Sequence, residues 1–313
     1  MQIGFYGYPQ QIETWLQPLR QALPTAAIRV LSAEDQAAAD YLIVRNPPAS
    51  ILGERERLKA IFNLGAGIDY LAQLRAQAAP RALEQVPLIR LEDAGMAEQM
   101  RDYVTHWVLH FFRGFDRYQA QQQQAHWQAL PTPQKSDFTV GILGGGQLGQ
   151  TIALHLQSLG FPVRVWKRQA DPHAPYPCWH GTDQLTVFAQ NVSALVNVLP
   201  LTPATQGILN RVLFQACRRG AYLINVARGQ HVVEDDLLQA LTSGQLAGAC
   251  LDVFAQEPLP ATHPFWTTPN LYLTPHCSAD NLPQPSMQQI AHKIQQIEAG
   301  QTVTGIVDWI RGY

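Results

Sequence analysis

Three side chains suited to acid–base and charge chemistry close apolar runs late in this sequence. Arg228 follows Leu223-Ile224-Asn225-Val226-Ala227, Glu257 follows Leu251-Asp252-Val253-Phe254-Ala255-Gln256, and His276 follows Leu273-Thr274-Pro275. Taken singly, each has an ordinary reading: a surface cation, a loop carboxylate before proline, a solvated imidazole. At the ends of strands downstream of one nucleotide-binding turn they can converge on one cleft. Such a trio suits hydride transfer to a carbonyl. The carbonyl oxygen gains negative charge as hydride arrives, and a histidine is the natural proton donor near neutral pH. A carboxylate beside that histidine favours its charged form and orients the ring. A guanidinium polarises the carbonyl or holds a carboxylate bidentately. Asp252 ends its run where it either hydrogen-bonds a nicotinamide carboxamide or caps a turn.

The nucleotide turn lies at residues 139–149, Thr-Val-Gly-Ile-Leu-Gly-Gly-Gly-Gln-Leu-Gly. Val140, Ile142 and Leu143 are apolar enough for a short buried strand. Gly144, Gly146 and Gly149 follow in G-x-G-x-x-G spacing, and 150–159 has helical periodicity through Ile152, Leu156 and Leu159. Strand, glycine turn and helix in this order give the motif its meaning. The first glycine makes the tight turn, the second admits a pyrophosphate, and the third packs helix on strand. The helix N-terminus then offers free N–H groups to the phosphates. The next strand, at 163–166, ends in Lys167-Arg168 rather than in the acid that would bind a ribose 2′-hydroxyl. A missing acid and two cations point to the 2′-phosphate of NADP(H), with NAD(H) as the alternative.

The elements that must position these groups alternate between strand and helix. Strands are expected at 1–6, 28–31, 40–44 and 59–64, with an amphipathic helix at 11–23, so the first hundred residues form a small α/β domain. A long helix is expected at 97–119, followed by a glutamine-rich run and a Pro131-Thr132-Pro133 linker. Further strands are expected at 163–166, 194–199, 221–226, 247–253 and 271–274. Helices are expected at 208–214, at 234–242 with Glu234, Asp235 and Asp236 favouring its N-terminus, and at 285–298. The 313 residues make about two domains. A net charge of −2 gives no case for nucleic acid or an anionic membrane. No apolar run approaches the ~20 residues of a membrane span. Four dispersed cysteines and an N-terminus without a signal-peptide pattern lead us to expect a cytoplasmic protein.

Over essentially its whole length the sequence resembles the D-isomer-specific 2-hydroxyacid dehydrogenase family. The resemblance rests on Leu64-Gly65-Ala66-Gly67-Ile68-Asp69, the glycine fingerprint, Leu199-Pro200-Leu201-Thr202-Pro203-Ala204-Thr205, Asn225-Val226-Ala227-Arg228-Gly229, 252–260 and Thr274-Pro275-His276. Residues 90–100 and the ending Arg311-Gly312-Tyr313 look closest to the family's glyoxylate/hydroxypyruvate reductase branch. The resemblance implies two Rossmann-like, doubly wound α/β domains around a cleft. These are a substrate domain, 1–97 with 284–313, and a dinucleotide-binding domain, 98–283. It implies a homodimer whose interface includes the helix near residue 100. It makes Arg228 the substrate-orienting arginine, Glu257 the histidine-pairing glutamate and His276 the acid/base. It places the substrate carboxylate on the backbone N–H groups of Ala66 and Gly67, with Arg228 and His276. It draws cofactor contacts from Gly144, Gly146, Gln147, Leu148, Gly149, Trp166, Lys167, Arg168, Leu199, Pro200, Thr205, Val226, Ala227, Asp252 and Ser278. Two departures bear on substrate preference. Arg45-Asn46 stands where that branch carries bulky aromatic or imidazole side chains, and Cys277-Ser278 follows the histidine where small apolar residues are commoner.

The resulting expectation is NADPH-dependent reduction of small 2-keto acids. The rivals are a dehydrogenase for bulkier or phosphorylated substrates and a non-catalytic nucleotide sensor. A metal site is not expected: His106 and His110 stand four apart on a helix but have no third ligand beside them. Replacing Lys167 and Arg168 by neutral residues should raise KM for NADPH far more than KM for NADH. Steady-state kinetics with both cofactors checks this, and equal effects would exclude a phosphate-binding role.

Overall fold

The computed structural model describes residues 1–8, 10–78 and 80–310. The ending Arg311-Gly312-Tyr313, noted above for its resemblance, lies outside the described residues. The chain begins with β1 (Gln2–Tyr6), α1 (Ile12–Ala22), β2 (Ala27–Val30), β3 (Tyr41–Val44), β4 (Ala60–Asn63), α2 (Asp69–Ala78), α3 (Ala82–Gln85) and β5 (Leu88–Arg90). It continues through α4 (Met96–Phe112), α5 (Phe115–Gln123), β6 (Val140–Leu143), α6 (Gln147–Ser158), β7 (Val163–Lys167), β8 (Cys178–His180), α7 (Leu185–Ala189) and β9 (Ala194–Asn197). It ends with α8 (Arg211–Ala216), β10 (Ala221–Asn225), α9 (Glu234–Thr242), β11 (Leu246–Leu251), β12 (Leu271–Leu273) and α10 (Pro283–Glu298). Two compact units result, residues 1–96 with 281–313, and residues 97–280.

The first unit has a parallel five-stranded sheet in the order β2-β1-β3-β4-β5. β3 and β4 are buried at every position, as strands covered on both faces must be. Ile3, Phe5, Tyr41 and Phe62 pack under Trp15, Leu16 and Leu19 of α1 and Met287, Ile290 and Ile294 of α10. Leu42, Val44 and Ile61 turn to the other face, against Ile51, Leu52 and Leu71.

The second unit has a parallel seven-stranded sheet in the order β12-β11-β10-β9-β6-β7-β8. Its strands divide their side chains with period two. Leu143, Leu195, Leu223, Ala249 and Leu251 meet α7, α8 and α9 through Phe188, Leu213, Phe214 and Leu237. Ile142, Val165, Val196 and Ile224 meet α4 and α6 through Val104, Val108, Phe111, Ile152 and Leu156. Helices on both faces make this a doubly wound fold, with the winding reversing between β6 and β9. Among the described residues no helix is long and apolar enough to cross a membrane.

The structure corrects several expected boundaries. The helix expected at 97–119 is two helices, because Gly114 between them takes a left-handed φ of +66°. The helix expected at 208–214 begins at Arg211, where the Asn210 Oδ1 accepts the Leu213 N–H at 3.2 Å and caps it. Strands β5 and β8 have only three residues each, too short for a periodic signal.

Gly149 lies in the first turn of α6, where an added Cβ would come to 1.8 Å from the Gly144 carbonyl oxygen. A backbone atom cannot yield as a flexible side chain does, so Gly149→Ala must push α6 off β6. The expected loss is about 1–3 kcal/mol, the usual cost of overpacking. It should appear as a lower urea midpoint at unchanged denaturant slope.

Candidate active site

The glycine turn joins β6 to α6 at the point where the sheet reverses its winding. Gly144 has φ +113° and starts the turn, and Gly146 immediately precedes α6. A Cβ on Gly146 would meet no atom within 4 Å, so nothing inside the chain requires glycine there. The constraint is one that a ligand lying against this backbone would impose. A Cβ on Gly145 would meet the Lys167 Cδ at 3.1 Å, which puts the Lys167 stem beside the turn. Lys167 Nζ pairs with the Asp171 carboxylate at 2.7 Å, and that bond raises the lysine pKa, so its charge is secure. Asp171 is a residue that the sequence reading passed over. Arg168 is exposed at the end of β7. The glycine turn, the helix N-terminus and these two cations together fit a phosphorylated dinucleotide.

Other expected cofactor residues divide by what the fold does with them. Gln147 is exposed and Leu148 half-buried on the first turn of α6. Trp166 is buried, its indole N–H donating to the Gly181 carbonyl at 2.8 Å, so its side chain belongs to the core. Leu199 and Val226 also face the core. Pro200 is exposed, and its carbonyl accepts the Thr205 hydroxyl at 2.7 Å, which closes the loop after β9.

Arg228, Glu257 and His276 follow β10, β11 and β12, three adjacent strands. Parallel neighbours deliver their carboxyl ends to one edge, so the three loops lie side by side. A Cβ on Gly229 would stand 1.9 Å from the Phe254 carbonyl carbon, which shows the Arg228 loop in backbone contact with the loop before Glu257. Glu257 Oε1 accepts the Phe254 N–H at 2.9 Å, and Oε2 lies 2.8 Å from His276 Nδ1. A carboxylate only accepts, so Nδ1 carries the hydrogen and Nε2 is the ring's outward nitrogen. His276 has φ +53°, a left-handed conformation costing on the order of 1–2 kcal/mol. It is held there by its backbone N–H, 2.8 Å from the Asp252 carbonyl. The Arg228 guanidinium donates to the Ala227 carbonyl at 2.6 Å.

Asp252 is fully buried at the end of β11. Its Oδ1 accepts the Thr274 hydroxyl at 2.6 Å and the Cys277 N–H at 2.9 Å, and its Oδ2 accepts the Ser278 N–H at 2.8 Å. The turn-capping role weighed in the sequence is therefore the one these contacts display, with the cap closing around His276. The Cys277 thiol is pushed up by burial and then by the Asp252 charge, so it stays protonated and is no nucleophile at neutral pH.

Sequence reasoning missed a buried amide network beneath Arg228. Asn197 Nδ2 donates to Asn225 Oδ1 at 2.9 Å and reaches His231 Nδ1 at 3.0 Å. His231 Nε2 faces the Pro200 carbonyl at 3.3 Å. A carbonyl can only accept, so His231 is the Nε2–H tautomer. Asn225 also accepts the Ala227 N–H and donates to the Arg228 carbonyl. The available signal was an Asn inside each of two predicted strands, 194–199 and 221–226; the structure ends β9 and β10 at these residues. His110 is buried against Trp107, Phe111 and Tyr272, and burial lowers its pKa. Among the described residues no group of three His, Cys, Asp or Glu side chains could hold a metal ion.

In the first unit, Asn63 at the end of β4 donates to the Gly65 and Gly67 carbonyls at 3.0 and 2.8 Å. In a trans peptide the C=O and the following N–H point opposite ways. The Ala66 N–H is thereby turned away from Asn63. Neither it nor the Gly67 N–H meets an acceptor among the described residues. Paired free N–H groups of this kind form an anion-binding nest.

Known proteins resemble the whole chain. Residues 105–278 match the model of the D-isomer specific 2-hydroxyacid dehydrogenase NAD binding domain. A glyoxylate/hydroxypyruvate reductase A from Serratia proteamaculans is 49% identical, with 100% of each chain covered. A D-isomer specific 2-hydroxyacid dehydrogenase from Xanthobacter autotrophicus Py2, solved with NADPH and MES, superimposes with a TM-score of 0.90 at 35% identity, covering 99% of each chain. An NADPH-dependent glyoxylate/hydroxypyruvate reductase from Sinorhizobium meliloti, solved with NADP and sulfate, gives 0.90 at 31% identity over 100% of each chain.

Asp252→Asn places an NH2 group against at least one of three donors, the Thr274 hydroxyl and the Cys277 and Ser278 N–H groups. Leaving such a donor unsatisfied costs about 1–3 kcal/mol. The variant should show a lower urea midpoint and a reduced kcat, with His276 and Glu257 chemically intact.

Proposed function

The chain belongs to the D-isomer-specific 2-hydroxyacid dehydrogenase family, and from that premise we propose that it reduces small 2-keto acids, glyoxylate to glycolate and hydroxypyruvate to D-glycerate. It is an NAD(P)-dependent oxidoreductase. NADP(H) is the preferred cofactor, and NAD(H) is the alternative; relatives solved with NADPH or NADP agree with Lys167 and Arg168 at the end of β7. When bound, NADPH supplies the hydride that adds to the carbonyl carbon.

The observation that carries the reading is the Glu257–His276 pair at 2.8 Å. With Nδ1 tied to Glu257, a protonated His276 presents Nε2–H as the donor to the carbonyl oxygen. After transfer the ring is left neutral with its Nδ1–H still on the glutamate, so no ring flip is needed. Arg228 holds the carboxylate and polarises the carbonyl. In this reading the Ala66–Gly67 nest also takes the substrate carboxylate. We further read the assembly as a homodimer on the family resemblance, with α4 at its interface. The four unpaired cysteines support a reducing, cytoplasmic location.

His276→Ala should lower kcat by about 10²–10⁴-fold, the usual contribution of a positioned acid. NADPH binding, followed by nicotinamide fluorescence, should remain. Reduction consumes the donor's proton, so kcat/KM should fall as pH rises. Glu257→Gln removes the carboxylate that orients the His276 ring and should lower kcat with NADPH binding unchanged. Turnover near the wild-type value in His276→Ala would exclude His276 as the acid.

A further inference from the structure

The first unit holds a guanidinium that the proposed reaction leaves unused. Its sheet reverses its winding between β1 and β3, and parallel sheets take ligands outside their carboxyl ends at such a point. Arg45 is the first residue after β3, and the Gly65 turn follows β4, the strand paired beside it. Arg45 Nη1 donates to the Leu64 carbonyl at 2.8 Å. A Cβ on Gly65 would lie 2.9 Å from the same nitrogen, so the guanidinium rests on the turn that forms the Ala66–Gly67 nest. The Tyr8 ring lies on its other side, 5.8 Å from ring centroid to guanidinium carbon. Arg45 is half-buried, and among the described residues no Asp or Glu pairs with it.

The charges can be counted. A 2-keto monoacid brings one negative charge, which the proposed reaction already sets on the Ala66–Gly67 nest. Arg45 adds a permanent cation beside that nest, partly removed from water and with no acidic partner among the described residues. A guanidinium so placed gains a charge-assisted bond only if the ligand brings another anionic group. We propose that Arg45 is a specificity-determining residue that raises selectivity for 2-keto acids carrying a second carboxylate over the monoacid glyoxylate. The proposal rests on the reductase reading for the reaction, but not for binding of the dianion.

The test compares kcat/KM for ketomalonate and glyoxylate in wild type, Arg45→Met and Arg45→Lys. The ketomalonate-to-glyoxylate ratio should fall about tenfold in Arg45→Met, the effect of one charge-assisted bond. Arg45→Lys keeps the charge and should keep the ratio within about threefold of wild type. A ratio in Arg45→Met within about twofold of wild type would overturn the proposal. A second measurement needs no turnover. In protein supplied with NADP⁺, malonate should raise the unfolding midpoint at lower concentration in wild type than in Arg45→Met, whereas acetate should not distinguish them. Equal malonate curves overturn the assignment even if every 2-keto acid is reduced. A malonate difference in a protein that reduces no 2-keto acid supports Arg45 and removes the reductase reading.

Discussion

Every strand pair in both sheets is parallel, and the rest of the organisation depends on that constraint. Parallel neighbours cannot be joined by a tight hairpin; each needs a crossover, here usually a helix. Each strand therefore delivers its carboxyl end to the same edge of its sheet. Residues as distant in sequence as Gly144, Lys167, Arg228, Asp252 and His276 come to one edge of the seven-stranded sheet for this reason. Arg45 and the Gly65 turn come to the corresponding edge of the five-stranded sheet.

Delivering a loop to an edge does not by itself hold it in shape. The loops are held by short polar side chains at strand ends. Asn63, Asn197, Asn225 and Asp252 are all buried and are the last or next residue of β4, β9, β10 and β11. Each turns its amide or carboxylate to main-chain groups that have left the ladder and need partners. Asn225 clasps both ends of the Arg228 turn, Asp252 clasps both residues after His276, and Asn63 turns the Ala66 N–H away from itself. His231 extends the clasp of Asn197 to the Pro200 loop. The reactive side chains thus stand on loops shaped by buried amides and a carboxylate. A loop so held can keep His276 in a backbone conformation that most residues avoid.

The cationic positions have different environments. Lys167 is tied to Asp171 in a pair open to solvent, where water screens the attraction and the bond is weak. A phosphate group carries enough charge to compete for that ammonium. Arg45 instead rests on a carbonyl and an aromatic face, with no carboxylate against it among the described residues. The first arrangement suits a cation that changes partner on binding, and the second suits a cation that selects its ligand.

Much of this was legible in the chain. The glycine spacing between an apolar run and a helical period marked the dinucleotide turn, because those conformations exclude other residues locally. Arg228, Glu257 and His276 were legible because they close apolar runs and because the runs resemble a family. Lys167-Arg168 was legible as a missing acid. Gly114 was in view, yet the broad apolar stripe of 97–119 concealed the break it makes. The partners of those groups were not legible. Nothing in the spacing of Asp252 and Ser278, or of Asn197 and His231, says that they touch. Nor did Arg45 show that its side chain would lie on Gly65. The sequence by itself determined most of the longer elements, the parallel class and the candidates for the reactive groups, since these follow from periodicity and backbone preference within a few residues. Only the tertiary structure decided which buried donor meets which acceptor. That choice depends on strand order and register, which bring together residues dozens of positions apart.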